Sequence, residues 1–306
     1  MSATVVISTY STQNINLVLD CVNSLYHQTE KPHEIILALD SDEKLIKFYE
    51  EKMPKNVKIV DSGGRGLSTA RNAGIKEARS EIIAFIDDDA IADEKWLEHH
   101  IMHYNDQEII GVGGTIKAIW PTVRPIWFPE ELDWIVGCSY KGLPIKETSI
   151  RNPIGCNMSF RKEAIEKVGY FKEGIGRYGK KLLGSEETEL SIRMINKLRN
   201  SKIIFDPKSI AYHKISNNRV NLKYFMRRSF YEGISKGIMT KKTINKSNSL
   251  TTENHYLKYL IFKSIPNRLS QIYRYKNISE FFSLILSISL VSIGFLFGKL
   301  NKNHNI

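Results

Sequence analysis

The stretch Phe85-Ile86-Asp87-Asp88-Asp89-Ala90 decides the fold prediction, because three consecutive carboxylates end an apolar run. The run, residues 82–86, has the length and composition of a buried strand. Such a strand delivers carboxylate oxygens to the carboxyl edge of a sheet, where open α/β folds bind ligands. Because adjacent charges repel, the cluster predicts a hard cation, Mg²⁺ or Mn²⁺, held together with a diphosphate. The alternative is an acidic turn that caps a helix near residues 93–103.

Strand-like and helix-like patterns alternate on both sides of this cluster. Runs typical of strands cover residues 4–8, 34–39, 57–60 and 82–86, and helical patterns cover 17–25 and 67–78. Strand alternating with helix predicts an α/β fold with a mixed, mainly parallel sheet flanked by helices. Ligand-binding residues are then expected at strand ends, namely Thr9, Tyr10, Asp40, Asp42, residues 61–66 and residues 87–89.

Residues 111–153 show a less regular pattern than the N-terminal strands and helices. Residues 111–153 contain several Trp and Pro residues and are interpreted as a long loop system, which either binds a ligand or covers the core. Helices are predicted to begin near Lys162 and to span residues 186–197.

Length and composition restrict the class of protein. A chain of 306 residues that is 42% hydrophobic can bury a large core and is neither disordered nor fibrous. The three cysteines have no CxxC spacing, so neither a zinc site nor a disulfide framework is indicated, and a reducing compartment fits best. We expect no secretory leader, since no apolar run with a cleavage site follows Met1.

The positive charge is concentrated in the tail. Residues 1–220 hold 30 basic and 30 acidic residues, whereas residues 221–306 hold 14 and 3, which accounts for the whole net charge of +11. Residues 281–298 are uncharged and just long enough to span a bilayer. The pattern predicts a folded domain over 1–220, a basic, Tyr-rich helical membrane-proximal region over 221–280, and a transmembrane helix or membrane anchor over 281–298.

Positive-inside reasoning places residues 1–280 on the cytoplasmic face of the cell membrane. Two alternatives remain for the tail. A basic, Tyr-rich segment also suits nucleic acid, but no recognised binding module accompanies it, and we expect no nucleic-acid partner. Residues 281–298 contain four serines, so a buried helix of a soluble protein also fits them.

Several short motifs follow one another in a familiar order. They are Val5-Val6-Ile7-Ser8-Thr9-Tyr10, Ser24-Leu25 with Gln28-Thr29, Glu34-Ile35-Ile36 running to Asp40, Gly66-Leu67-Ser68-Thr69-Ala70-Arg71-Asn72-Ala73-Gly74, Asp87-Asp88-Asp89, Gly155-Cys156-Asn157-Met158-Ser159-Phe160-Arg161, and Glu186-Glu187-Thr188-Glu189-Leu190. Each is weak alone, but their joint order over 4–213 resembles the inverting family 2 glycosyltransferases, which have the Rossmann-like GT-A fold.

The resemblance implies a nucleotide-sugar donor, with a UDP-sugar favoured. Asp40 corresponds to the strand-end carboxylate that binds the base or ribose. This chain reads Asp40-Ser41-Asp42 where the family often has Asp-Asp-Gly-Ser, so Asp42 either shares this role or is a solvated loop carboxylate. The predicted donor-binding residues also include Thr9, Tyr10 and Asp88.

Arg71 and Asn72 are placed by the resemblance on the helix after a glycine-bearing loop. There they face the nucleotide or hold the metal-binding turn, and an Arg fork matches carboxylate or phosphate. The alternative is that Arg71 only orders Asp87 or Asp88.

The resemblance also implies a divalent metal, Mn²⁺ or Mg²⁺. Asp87 and Asp89 form the family's Asp-x-Asp, in which the first contacts ribose or metal and the last coordinates the metal. The middle residue, Asp88, is expected to point elsewhere. His213 matches a further metal ligand of many relatives, although a lone His is often a packed structural residue.

Inversion at the sugar needs one carboxylate to take the acceptor proton. The family supplies it from a Glu-Asp pair, which here is Glu186-Glu187, so Glu187 is the base by position and Glu186 the alternative. Both residues also suit the first turn of a helix. Arg227 and Arg228 lie beyond the matched region and touch either a phosphate or only solvent.

The function that follows is a metal-dependent inverting glycosyltransferase at the cytoplasmic membrane face. Its expected acceptor is a lipid-linked sugar, such as a dolichyl- or polyprenyl-phosphate glycan, which places the chain in glycan biosynthesis or protein glycosylation. One alternative is a non-catalytic, membrane-tethered nucleotide-sugar-binding scaffold subunit. Another, a metal-dependent phosphohydrolase, lacks a nucleophile arrangement.

Overall fold

The computed structural model describes residues 1–173, 182–242 and 250–300. These residues form two compact units, each assembled from separate parts of the chain. The first unit contains residues 1–119, 144–173 and 186–214, and the second contains 120–143, 182–185 and the described residues from 215 onward. Residues 120–143 therefore group with the tail, whereas the predicted first domain included them. The predicted boundaries at residues 220 and 280 stay predictions.

The first unit is built on one mixed sheet. Its strands are β1 (Ala3–Thr9), β2 (Glu34–Leu39), β3 (Val57–Asp61), β4 (Ile82–Asp87), β5 (Ala90–Ala92), β6 (Ile109–Ile119), β7 (Thr148–Ile150), β8 (Asn157–Arg161) and β9 (Lys202–Lys214). The order is β3-β2-β1-β4-β8-β6-β9-β5, with β7 also paired to β9. Strands β1 to β4 are mutually parallel, and β8 runs antiparallel to both β4 and β6.

Helices connect and flank these strands. They are α1 (Ile15–Tyr26), α2 (Glu43–Lys52), α3 (Leu67–Glu77), α4 (Trp96–Ile101), α5 (Lys162–Val168) and α6 (Glu186–Lys197), with 3₁₀ turns at Thr12–Asn14 and Met102–Asn105. The predicted α/β class is confirmed, and each of the four predicted N-terminal strands is present. The strands are buried because their faces are covered by helices, which explains their continuous apolar sequences.

The prediction of a loop system over residues 111–153 was wrong at its beginning. Residues 109–119 form β6, and its glycines allow close packing: a Cβ at Gly113 would lie 2.5 Å from the Pro153 side chain, and one at Gly114 would lie 2.2 Å from the Ser209 carbonyl oxygen. Glycine is depleted in strands, so a strand that needs it for close approach has a weak sequence signal.

Strand β9 had no sequence prediction either. It contains Pro207, which normally argues against an interior strand. The register on β6 shifts at this point, since Gly114 pairs with Asp206 and Thr115 pairs with Ile210. The irregularity lets the chain pass the proline and continue to the end of the strand.

The second unit is mainly helical. Its helices are α7 (Leu222–Lys242), α8 (Thr251–Tyr259), a π-helical turn (Leu260–Ser264), α9 (Ile265–Leu269) and α10 (Tyr275–Leu300), with 3₁₀ turns at Glu130–Val136 and Asn217–Arg219. Arg268 joins distant parts of the unit, because it lies 2.7 Å from Glu131 and 2.9 Å from Glu280. Burial raises the pKa of Glu131, but the hydrogen bonds and charge of Arg268 outweigh it and lower that pKa.

Helices α7 and α10 meet along a seam of four glycines, Gly233 and Gly237 on α7 and Gly294 and Gly298 on α10. A Cβ at Gly233 would lie 2.1 Å from the Val291 carbonyl oxygen, and one at Gly294 would lie 2.1 Å from that of Phe230. Only glycine permits this approach of two backbones. The side chains of Ser229 and Ser287 extend the seam with a hydrogen bond of 3.1 Å.

Helix α10 contains the predicted apolar segment 281–298 and extends it at both ends. It has 26 residues, its most apolar stretch has a mean hydropathy of 2.2, and only 28% of that stretch is buried. Among the residues that the structure describes, it is the one helix long and apolar enough to cross a membrane.

Candidate active site

The parallel strands end at one edge of the sheet, and the residues there are polar. Strand β1 ends at Thr9, β4 ends at Asp87, and Asp40 directly follows β2. The pairing of β1 with its two neighbours brings these three ends side by side. This is the edge at which parallel α/β sheets bind ligands.

Asp40 faces the glycine-bearing loop before α3. Its Oδ1 accepts a hydrogen bond of 2.9 Å from the backbone N–H of Gly66. Gly66 has a φ of 108°, which favours glycine. Burial raises the pKa of the Asp40 carboxyl group. The partly buried carboxylate thus lies against this loop and is held there by its backbone.

Two other predicted donor-binding residues have different surroundings. Asp42 is the N-cap of α2, where its carboxylate accepts the N–H groups of Lys44 at 3.0 Å and Leu45 at 3.1 Å. Tyr10 is 73% exposed. The structure therefore explains Asp42 as a helix cap.

The three predicted metal ligands lie together. Strand β5 pairs with β9 so that Ala90 is opposite His213, which brings His213 to Asp89. His213 Nε2 lies 2.9 Å from Asp89 Oδ1. One potential ligand atom from each of Asp87, Asp89 and His213 lies within 4.8 Å of the others.

The donor set of this cluster fits a divalent cation. Two ligands of one ion at about 2.1 Å are at most about 4.2 Å apart, so a small side-chain movement closes the cluster around an ion. Two carboxylates and one imidazole suit Mn²⁺ and Mg²⁺ in hardness and leave coordination positions for phosphate oxygens. The cluster is therefore a candidate metal site.

Asp88 points away from the cluster. Its Oδ2 accepts hydrogen bonds from Thr9 Oγ1 at 2.5 Å and from Asn14 Nδ2 at 2.8 Å. Burial, with the nearby charge of Asp89, raises the pKa of Asp88 to about 6. Asp88 and Thr9 thus hold the turn after β4 against the end of β1.

Arg71 connects the end of β4 with the start of α6. Its guanidinium lies 3.4 Å from Asp87 and 3.0 Å from Glu186, and it donates to the Gly155 carbonyl oxygen at 3.1 Å. The side chain is 3% exposed. It also lies over the rings of Phe85 and Phe171, at 5.8 and 5.6 Å from their centroids. Such a fixed, buried cation holds the carboxylates around it in place.

The side chain of Asn72 binds the protein backbone. Its side chain both donates to and accepts from the backbone of Phe171, each at 2.9 Å. The amide therefore fixes the segment that carries one of the rings over Arg71.

The two glutamates at the start of α6 differ in environment. Glu186 is 6% exposed and pairs with Arg71. Glu187 is only partly buried and accepts a hydrogen bond of 3.1 Å from the Thr188 hydroxyl group. Glu187 is therefore the more accessible of the two carboxylates, and it directly follows Glu186, which contacts the Arg71 guanidinium.

A buried polar network below this edge was missed by the sequence reasoning. Asn157 Oδ1, on β8, accepts from Trp96 Nε1 and His100 Nε2, both at 2.8 Å, and Ser159 lies 2.8 Å from His100 Nδ1. Burial lowers the pKa of His100 to about 4, so the imidazole is neutral. Asn157 and Ser159 belong to a recognised motif, but spacing alone does not reveal their partners.

The fold and this edge define a glycosyltransferase of the GT-A type. The family model "Glycosyl transferase family 2" matches residues 4–169, more than half of the chain. The chain belongs to this family, as the sequence motifs predicted, and its activity class is glycosyl transfer.

Curated relatives agree with this assignment. A glucosyl-dolichyl phosphate glucuronosyltransferase of Haloferax volcanii is 28% identical over 99% of this chain and 98% of its own length. The succinoglycan biosynthesis protein ExoM of Rhizobium meliloti is 23% identical over 66% of this chain and 63% of its own length.

A solved structure supports the fold. The crystal structure of GalNAc-T7 with UDP, GalNAc and Mn²⁺ has a TM-score of 0.53 and 16% identity, covering 87% of this chain and 57% of that chain. The likeness confirms the GT-A fold.

Proposed function

We propose that the chain is a metal-dependent inverting glycosyltransferase that uses a nucleoside-diphosphate sugar. The observation that carries the proposal is the Asp87, Asp89 and His213 cluster at the carboxyl edge of the parallel strands, with Arg71 linking Asp87 to Glu186. A metal site beside a buried guanidinium and an accessible carboxylate has the parts that sugar transfer from a diphosphate requires.

We assign the donor nucleotide to the ends of the parallel strands. Asp40 accepts base N–H or ribose O–H groups, and the backbone of the Gly66 loop lies beside it. The diphosphate is assigned to the metal cluster. UDP is the favoured nucleotide, which agrees with the ligands named for the GT-A neighbour.

The metal is proposed to be Mn²⁺ or Mg²⁺, held by Asp87, Asp89 and His213. When bound, it stabilises the negative charge that develops on the departing diphosphate. Asp88, Thr9 and Asn72 are then positioning residues, because their side chains hold the turn after β4 and the segment around Phe171.

Glu187 is proposed as the base. It takes the proton from the acceptor hydroxyl group as that oxygen bonds to the anomeric carbon and the nucleoside diphosphate leaves with the electrons of the broken bond. Glu186 pairs with Arg71 and holds the start of α6 in place. Attack opposite the leaving group inverts the anomeric configuration.

The acceptor is proposed to be a sugar on a dolichyl or polyprenyl phosphate at the cytoplasmic face of the membrane. Two observations support it: the full-length similarity to a glucosyl-dolichyl phosphate glucuronosyltransferase, and the apolar helix α10 preceded by a basic segment.

The test is a screen of nucleotide sugars with the purified full chain, Mn²⁺ or Mg²⁺, and lipid-linked acceptors. We expect one donor to release nucleoside diphosphate in a metal-dependent way, with transfer to the lipid-linked sugar. Asp106→Asn, at an exposed loop position, is the matched control for Asp89→Asn. Donor turnover that is equal with metal and with chelator would refute the proposed mechanism.

A further inference from the structure

Helix α10 buries mainly small residues, with Leu284 as the one large apolar exception, and exposes large apolar residues. Its buried positions include Ser283, Ser287, Gly294 and Gly298, which face α7 or lie within the unit. The opposite face carries six large apolar side chains that are 41 to 75% exposed, namely Phe282, Ile285, Ile293, Leu296, Phe297 and Leu300. A core helix of a water-soluble protein shows the reverse arrangement.

This distribution is the one expected where lipid replaces water. Small residues let helix backbones approach each other, and large apolar side chains contact acyl chains. The six exposed side chains also lie together on one face of the helix, and contiguous apolar patches are rare on surfaces that face only water. A lipid phase therefore accounts for both faces of the helix.

The charges around the apolar stripe favour binding to an anionic membrane surface. Residues 271–300 include three exposed basic side chains, Arg274, Lys276 and Lys299. Their one acidic residue, Glu280, is buried and pairs with Arg268. Basic side chains near a negatively charged membrane are attracted to it.

Helix α7 argues against a simple crossing of the bilayer. It runs alongside α10, with Ser229 beside Ser287 and Gly237 beside Phe295. It has seven charged residues in 21, including Arg228 and Lys236 paired to Glu232. If α10 spanned the membrane, these charges would enter the hydrocarbon layer with it, which is strongly unfavourable.

We propose that α10 lies lengthwise in the surface of an anionic bilayer, with its large apolar stripe among the acyl chains and α7 behind it, and does not cross the membrane. Its length alone is compatible with crossing, so the seam and the charges of α7 decide between the two arrangements. Membrane binding and sidedness of α10 can be measured independently of sugar transfer.

The first test is flotation of the full chain with vesicles of phosphatidylcholine, with and without phosphatidylglycerol. We expect binding to the anionic vesicles and at least a 10-fold weaker binding by Leu296→Asp and Phe297→Asp. Ile145→Asp is the matched control, since Ile145 is 86% exposed in the first unit. Unchanged melting temperatures of all variants exclude unfolding. Equal binding by the stripe variants and the wild type would overturn the proposal.

The second test is sidedness in sealed membrane vesicles with the first unit facing outward. The native cysteines are buried, so single cysteines are introduced as Lys299→Cys and, as an exposed reference, Glu51→Cys. An in-plane helix predicts that a membrane-impermeant maleimide modifies both from outside. Modification of Lys299→Cys only after detergent would show that α10 crosses the bilayer.

A second copy of the chain is the other possible partner of the stripe. A lipid-free dimer that dissociates in Phe297→Asp, together with no flotation of the wild type, would establish that partner and refute docking on lipid.

Discussion

At the scale of single residues, substitutions can separate the proposed metal-binding role of the acidic cluster from the proposed proton-transfer role of the Glu186-Glu187 pair. Asp89 lies against His213 within the metal cluster, and its carboxylate also adds to the repulsion that raises the pKa of Asp88. Replacing its carboxylate with the isosteric amide should therefore weaken metal binding while the packing around the side chain is kept.

For Asp89→Asn we expect at least a ~100-fold loss of sugar transfer, about 3 kcal/mol of transition-state stabilisation. Thermal stability without metal should change little, because the lost repulsion with Asp88 offsets the lost charge opposite His213. Nucleoside diphosphate release, Mn²⁺ titration calorimetry and thermal melts measure the three effects. Wild-type turnover by the variant would remove Asp89 from the mechanism.

The two glutamates of α6 should respond differently to removal of charge. Glu187→Gln is expected to lower kcat by about 10²- to 10⁴-fold with donor binding preserved, since the base acts only in the reaction. Glu186→Gln breaks a buried ion pair with Arg71 and should lower stability by about 2 kcal/mol.

Steady-state kinetics, donor binding and urea unfolding separate these two outcomes. If Glu186→Gln abolishes turnover at unchanged stability and Glu187→Gln is active, the assignment of the base is reversed.

At the scale of elements, the network between α4 and β8 predicts a pH dependence of stability. His100 has a pKa of about 4 in the folded protein because it is buried, against an ordinary value near 6.5. The unfolded chain therefore binds a proton that the folded protein does not, and the stability that is complete above pH 6.5 falls as the pH drops towards 4. The loss amounts to about 3 kcal/mol.

Unfolding free energies of the wild type and His100→Gln between pH 7.5 and 4.5 measure this effect. The variant should be less stable at pH 7.5 but lose less on acidification. The charges of His99, His103 and Asp206 also act on His100 but are present in both proteins, so the difference isolates His100. Equal slopes in the two proteins would contradict the prediction.

The glycine seam between α7 and α10 predicts that Gly→Ala lowers stability there, although this substitution normally stabilises a helix. Gly→Ala inside a helix normally stabilises by up to about 1 kcal/mol. At Gly294 the new Cβ would meet the Phe230 carbonyl oxygen at 2.1 Å, so we expect destabilisation of about 1 to 3 kcal/mol instead. Ser292→Ala, on the exposed side of α10, is the control. Thermal melts in detergent measure both.

The sequence predicted those strands and helices that are marked by residues close together in the chain. The strands before Asp40 and Asp87 are apolar runs that end in carboxylates, and α6 begins with acidic residues. Strand β9 and the glycines of β6 could not be predicted, because their conformations depend on a partner strand distant in sequence. The same holds for Asn72 and Asp42, whose side chains meet backbone groups that no motif encodes.

At the scale of the whole molecule, the proposed contact of α10 with lipid and the proposed acceptor predict that activity depends on how the acceptor is presented. An enzyme held at a membrane meets a lipid-linked sugar at a high effective concentration. Phe297→Asp should therefore lower transfer to an acceptor embedded in vesicles by at least ~10-fold. Transfer to a short-chain, water-soluble acceptor should be unchanged. Equal losses on both acceptors would contradict a tethering effect.

The ion pair of Glu131 with Arg268 also has a consequence for synthesis on the ribosome. The two residues are 137 positions apart, so at about 5 to 20 residues per second Glu131 emerges roughly 7 to 27 s before its partner. During that interval the aromatic segment 120–143 has no tail to fold against and exposes side chains that are buried later, such as Phe128 and Leu132. The nascent chain therefore needs protection from aggregation and proteolysis until its last helices are made, and protease digestion of stalled ribosome complexes should cut this segment until the chain has extended beyond Arg268.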